Sequence, residues 1–203
     1  MKETDDKIVI LGCGGHSRSV ADVVLSLNPH VQLVFVDDNA RENEKIYGFD
    51  VFREYPVDNN KYFIAIGDNE TRKSKLEQVG EKYIVSIISH RAHRGINSKI
   101  GAGCFVGNYC HIGPDAVVGK NTIINTASLL EHEVIVGDHC HIGPNATVSG
   151  RCIIGDLVFV GVGATIIDKV TICSNVIIGA GATVVKDISE PGIYVGTPTR
   201  RIK

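Results

Sequence analysis

Three groups of residues have the types and spacing to do chemistry. The first is His132-Glu133, an imidazole beside a carboxylate, with Gly150 eighteen residues further on. An imidazole can stay neutral near pH 7 and take a proton, and an adjoining carboxylate fixes its tautomer. Glu131 is a second candidate for that orienting role by proximity. A glycine, having no side chain, lets a substrate approach its backbone N–H closely. The second group is the turn Gly12-Cys13-Gly14-Gly15-His16 with the acidic pair Asp37-Asp38 about twenty residues later. Gly12 and Gly14 fit the first two places of G-x-G-x-x-G, and Ser17 takes the third. Such a turn can simply join strand to helix, or its N–H groups can hold a phosphate at the helix start while carboxylates meet ribose hydroxyls. Spacing alone would suit NAD equally well. The third group is Gly67-Asp68-Asn69, which closes another apolar run.

These residues need a frame. From Ile100 to Val184 an Ile, Val or Leu falls at every sixth position, fifteen times without a phase slip. Neither a helix of period 3.6 nor a free strand of period two explains that. A fixed six-residue repeat marks a parallel β-helix in which three hexads make one triangular coil, so fifteen hexads give about five coils. Four residues after each aliphatic comes a small or β-branched residue, such as Cys104, Thr122, Ser128, Cys140 or Ala146. That alternation reads as the filling of a narrow interior. Polar residues fall two and three places after the aliphatic, where a corner turns side chains outward. His132 and Glu133 follow Leu130 by two and three, so both project from a corner. Gly150 stands one coil on, about 5 Å further along the stack. Periodicity leaves the handedness open, although ordinary parallel crossovers are right-handed.

The first ninety residues read differently. Lys7–Leu11 is a short apolar strand, and an amphipathic helix from Ser17 to Leu27 places Val20, Val23, Val24 and Leu27 on one face. Gln32–Val36 and Tyr62–Ile66 are further strands, a polar helix runs from Glu70 to Val79, and Tyr83–Ile88 reads as a fourth strand. Strand, glycine turn, helix, strand opens a Rossmann-like α/β sheet whose ligands collect at the carboxyl ends of its strands. That edge carries Gly12, Gly14, Gly15, His16, Asp37, Asp38, Gly67, Asp68 and Asn69 as candidate substrate-binding residues. The expected division is a Rossmann-like α/β nucleotide-binding domain over 1–88 and an all-β parallel β-helix domain over 89–203.

Composition narrows the class. A net charge of -2 and no Lys/Arg-rich run argue against a nucleic-acid surface. No apolar stretch approaches the ~20 residues of a membrane span, and the first residues are too charged to open a signal peptide. Four of the six cysteines occupy the small slot of the hexad, where free Cys packs well. The expectation is a reduced cytoplasmic protein.

Taken together, Gly12-Cys-Gly-Gly-His16, Asp37-Asp38, Phe63-Ile-Ala-Ile-Gly-Asp-Asn69, Asn125-Thr-Ala-Ser-Leu-Leu-Glu-His-Glu133 and Gly192-Ile-Tyr-Val-Gly-Thr-Pro198 resemble the hexapeptide-repeat sugar acetyltransferases. The subgroup is the UDP-N-acetylbacillosamine N-acetyltransferase type, with sialic acid O-acetyltransferases and perosamine N-acetyltransferases as relatives. The resemblance implies a left-handed β-helix, a homotrimer, and acetyl-CoA as co-substrate in the groove between neighbouring prisms, with no metal. It also implies that the first domain holds the nucleotide of a nucleotide-linked amino sugar. On this resemblance His132 and Glu133 are the base and its carboxylate, Gly150 donates its N–H to the oxyanion, and His141 lies near the acetyl group. The activity implied is direct transfer of acetyl to the 4-amine of a UDP-linked 4-amino-4,6-dideoxy sugar. O-acetylation of sialic acid and N-acetylation of GDP-perosamine are the alternatives, since residue types do not separate UDP, GDP and CMP.

Blander readings stand beside these. His111 and His139 read as decoration of a face and a corner, and His90 and His93 as junction residues. Cys140 is in an inward slot and makes a poor nucleophile. A zinc carbonic anhydrase on the same fold needs three converging histidines, whereas the prism histidines here are separated by 21, 7 and 2 residues. A nucleotide-sugar-binding scaffold without catalysis is the non-enzymatic reading, and His132, Glu133 and Gly150 argue against it.

Overall fold

The computed structural model describes residues 7–54 and 60–203. Its first half is a five-stranded sheet with a helix on each face. The strands are β1 (Lys7–Leu11), β2 (Gln32–Val36), β3 (Lys45–Ile46), β4 (Phe49–Phe52) and β5 (Lys61–Ile64), in the order β3-β4-β2-β1-β5. All pairings are parallel except β3 with β4. Side chains alternate across a strand, and the alternation sorts the core into two layers. Ile10, Leu33, Phe35 and Phe63 pack with Val20, Val23 and Val24 of helix α1 (Gly15–Leu27). Val9, Leu11, Tyr62 and Ile64 pack with Leu76 of helix α2 (Asn69–Val79).

Two elements differ from the sequence reading. The hairpin β3-β4 adds an edge that periodicity did not disclose, because strands of two and four residues are too short to show a period. Tyr83–Ile88 is not a fourth strand of this sheet: only Ile84 bridges Tyr62. Ile87–Ile88 pairs with Phe105–Val106 and is the first rung of the prism.

The second half is a left-handed parallel β-helix whose three faces hold six, five and eight strands, the last including the C-terminal pair. Each rung repeats after eighteen residues, as in His111↔Leu129↔Thr147↔Thr165. The hexad aliphatics point inward: Ile112, Ile124, Leu130, Ile142, Val148 and Val160 have no exposed surface. So do the residues of the small slot, among them Cys104, Thr122, Ser128 and Cys140. These small residues also satisfy corner carbonyls. Cys104, Cys140 and Cys152 thiols lie 3.0 Å from the carbonyl oxygens of Gly119, Gly155 and Ile167, and Thr122 Oγ1 donates to Gly137 at 3.0 Å. Burial pushes the Cys140 thiol up to about 12, so it stays protonated.

The corner residue three places after each aliphatic adopts φ near +60°, as at Asp115, Asn121, Glu133, Asn145 and Arg151. That left-handed conformation is sparsely populated by non-glycine residues. Here it recurs in register, with each corner N–H donating one coil back, as Glu133 to Pro114 and Arg151 to His132. Gly192–Val195 and Arg200–Arg201 close the C-terminal end of the stack.

Candidate active site

The corner between the faces of Leu130 and Ile135 carries His132. Its Nδ1 lies 3.0 Å from Glu133 Oε2, so Nδ1–H donates to the carboxylate and the lone pair sits on Nε2. Both side chains are half exposed. Glu133 shares the positive φ of the other corners, at 59°. Glu131 takes no part in this pair; its backbone N–H bonds Val148. Gly150 lies directly under the imidazole: a β-carbon there would stand 2.6 Å from both Cε1 and Nε2 of His132. No other residue type fits with the ring in this place. Among the described residues no acceptor takes the Gly150 N–H. An uncommitted base nitrogen and an uncommitted peptide N–H therefore share one corner.

His141 is elsewhere. It sits on the face of Ile123 and Phe159, buried against the first domain. Nδ1 donates to the Gly67 carbonyl at 3.1 Å, and Asn125 Nδ2 donates to Nε2 at 3.1 Å. Burial lowers its pKa to about 4, so it is neutral, and both ring nitrogens are already engaged. Within one chain the structure does not bring His141 to His132.

The nine residues of the sheet edge divide among four places. Gly12, Asp37 and Asp38 line a cleft of about 680 Å³ with Thr71, Ser74 and Lys75 of α2. Gly12 has φ +109° and a β-carbon would be 3.0 Å from the Ala65 carbonyl, so glycine is required there. Asp37 braces the loop: one oxygen accepts the Cys13 N–H and the other the Asn39 N–H, each at 2.9 Å. Burial alone would raise its pKa, but these bonds prevail and lower it. Asp38 is exposed and makes no hydrogen bond among the described residues. Gly14 and Gly15 open α1, where a β-carbon would meet nothing and no side chain caps the helix. The N–H groups at that helix start are thus open to a ligand.

Gly67, Asp68 and Asn69 line a separate cleft of about 460 Å³ with His141, Phe159 and Ile177. Asp68 caps α2, accepting from Thr71 N–H at 2.9 Å, and Asn69 Oδ1 accepts from Arg72 at 2.8 Å. Both are held by structure before any ligand arrives. His16 reaches neither cleft. It is turned inward, edge-on to Phe105 at 4.9 Å, with Nε2 buried and unbonded, and burial lowers its pKa to about 3. The sequence reading places it on the ligand edge, whereas its ring packs against the prism residues Phe105 and His141.

Sequence reasoning missed Arg72. Fully buried on α2, it donates to the carbonyls of Ile66, Gly67, Asn121, His139 and Cys140 and to Asn69 Oδ1. Polar helix residues read as solvated, and only the tertiary contact with the prism reveals the role. His139, read as a decorative corner residue, is buried beside this clamp and bonds Asn121 at 2.9 Å.

Residues 7–79 match the PglD N-terminal domain family, and residues 97–128 match the bacterial transferase hexapeptide (six repeats). The acetyltransferase domain of PglB from Neisseria gonorrhoeae superposes with TM-score 0.90 and 27% identity, over 97% of this chain and 100% of that one. A variant of perosamine N-acetyltransferase from Caulobacter crescentus, in complex with CoA and GDP-perosamine, superposes with TM-score 0.88 and 28% identity, over 97% of each chain. These matches support a hexapeptide-repeat sugar acetyltransferase. A curated relative, an uncharacterized protein of Acanthamoeba polyphaga mimivirus, is 33% identical over 121 residues, and the chain spans only 24% of its length. His132, His139 and His141 each bond a different partner, and His93 stacks on His111 with ring centroids 5.0 Å apart. Among the described residues no group of three or more His, Cys, Asp or Glu could hold a metal, and no helix is long and apolar enough to cross a membrane.

Proposed function

We propose that this chain transfers acetyl from acetyl-CoA to the amine of a nucleotide-linked amino sugar, with His132 as general base. The observation that carries the reading is the corner itself: Nε2 of a carboxylate-oriented imidazole over Gly150, whose N–H has no partner among the described residues. In the step, the amine lone pair forms the N–C bond to the thioester carbonyl. One N–H proton passes to Nε2, the Gly150 N–H donates to the oxyanion, and the C–S bond then breaks, the thiolate taking the proton. A positioned base is worth ~10²–10⁴ in rate, and one oxyanion donor roughly 3–4 kcal/mol. Together these suffice for an activated thioester without a covalent enzyme intermediate.

The nucleotide is assigned to the cleft of Gly12, Asp37 and Asp38, supported by the uncapped start of α1 for phosphate and by Lys75 as a nearby cation. We take a UDP-linked 4-amino-4,6-dideoxy sugar as the leading acceptor. GDP-perosamine is the second reading, favoured by the perosamine N-acetyltransferase that matches 97% of the chain. We also propose a homotrimer. It is supported by an exposed apolar ladder, Val117, Ile135 and Ile153, on the face that follows the His132 corner. The deciding experiment follows free thiol with acetyl-CoA and a panel of UDP-, GDP- and CMP-linked amino sugars. His132→Ala should lower kcat at least about a hundredfold with acetyl-CoA affinity nearly unchanged. Near-normal turnover in that variant would remove the mechanism.

A further inference from the structure

The His132 corner lacks the side-chain caps that its neighbour carries. Along the adjacent corner run Lys120, Asp138, Asp156 and Ser174, each one coil apart. There the first three backbone N–H groups are each capped by the side chain one coil on: Lys120 by Asp138 Oδ1 at 2.9 Å, Asp138 by Asp156 Oδ1 at 2.8 Å, and Asp156 by Ser174 Oγ at 2.9 Å. The corresponding series on the reacting corner is His132, Gly150 and Asp168. Asp168 thus stands where its carboxylate would cap the Gly150 N–H. It does not do so. Arg151 donates from Nη2 to Asp168 Oδ2 at 2.7 Å and from Nε to Oδ1 at 3.3 Å. Even so, Asp168 Oδ1 remains 3.1 Å from the point a β-carbon would occupy on Gly150, within a rotamer change of the N–H.

We propose that Arg151 is a positioning residue: it holds Asp168 aside and thereby keeps the Gly150 N–H open for an oxyanion. This rests on the acetyl-transfer reading above. A carboxylate on that N–H would consume the donor and set a negative charge where negative charge must develop, opposing the transition state twice over. Arg151 suits the task because its planar fork can grip both oxygens of one carboxylate, which a lysine cannot. The same grip leaves Glu133, one coil back from Arg151 on the corner, to His132 alone.

The test is an epistasis cycle with a readout that needs no substrate. In Arg151→Met, Asp168 is released onto Gly150, so the Gly150 amide should shift downfield in ¹⁵N–¹H spectra and exchange more slowly. The same variant should lose about tenfold to a hundredfold in kcat with the KM for acetyl-CoA held within about twofold. Asp168→Ala should leave both the amide and kcat close to wild type. The double variant Arg151→Met, Asp168→Ala should return to the level of Asp168→Ala. Arg151→Lys should recover only part of the loss. The proposal is overturned if the Gly150 amide is unmoved in Arg151→Met, or if the double variant is as slow as Arg151→Met. A raised KM for acetyl-CoA with unchanged kcat would overturn it too, making Arg151 a phosphate contact. Absence of transfer in the wild type with every acceptor would instead sink the acetyl-transfer reading, and the amide shifts would still report on the latch.

Discussion

A single β-carbon measures how tightly the His132 corner is built. Gly150→Ala would drive a methyl into Cε1 and Nε2 of His132, so the ring must leave its place over the peptide. Because the half-exposed ring can swing outward, the fold should survive while kcat falls about a hundredfold, which steady-state kinetics beside a thermal melt would separate. The buried histidines respond to pH instead. Above pH 6.5 His141 is neutral whether folded or not. As pH falls from 6.5 towards about 4 the unfolded chain takes a proton that the native site, by burying the ring, refuses. Stability is therefore full above 6.5, drops across that window, and levels off below it. Urea titrations at several pH values should show the drop, and His141→Gln should flatten part of it. His16, with its pKa near 3, contributes in the same direction over a wider window.

At the level of elements, six-residue periodicity alone located the faces, the corners and the inward aliphatics, because each side chain's direction in a coil is set by its phase. It placed His132 and Glu133 on a corner correctly, and it put Cys140 inside. What it could not reach were contacts between distant segments. The Asn125–His141–Gly67 chain spans both halves, and the short hairpin β3-β4 has no period to read. The glycine turn was legible as a turn, yet its geometry requires glycine only at Gly12. The tight interior also sets a cost for loss of volume. Leu130→Ala, at zero exposure and two residues before His132, should destabilise by about 2–5 kcal/mol in chemical denaturation.

For the whole molecule, two features decide how the halves work together. Arg72 is a buried cation surrounded by carbonyls, with its pKa lowered to about 10 by burial, so it stays charged across the working range. Arg72→Met would strip six hydrogen bonds from the seam and should cost more than about 3 kcal/mol, visible as a lowered melting temperature. The apolar ladder of Val117, Ile135 and Ile153 argues at the same scale. If a second copy covers it, Ile135→Asp with Ile153→Asp should yield monomers by sedimentation, and turnover should be lost with assembly.

The core of the first half does not end where the first half ends. Phe105 and Ile123, both prism residues, belong to the same packed layer as Val20, Phe35 and Phe63. A prism expressed alone would wear these two side chains as a naked greasy spot. A chimaera that borrows a foreign recognition module would need to import matching partners for them. Swapping acceptor preference among such enzymes by grafting is thus a problem of interior fit before it is one of ligand chemistry.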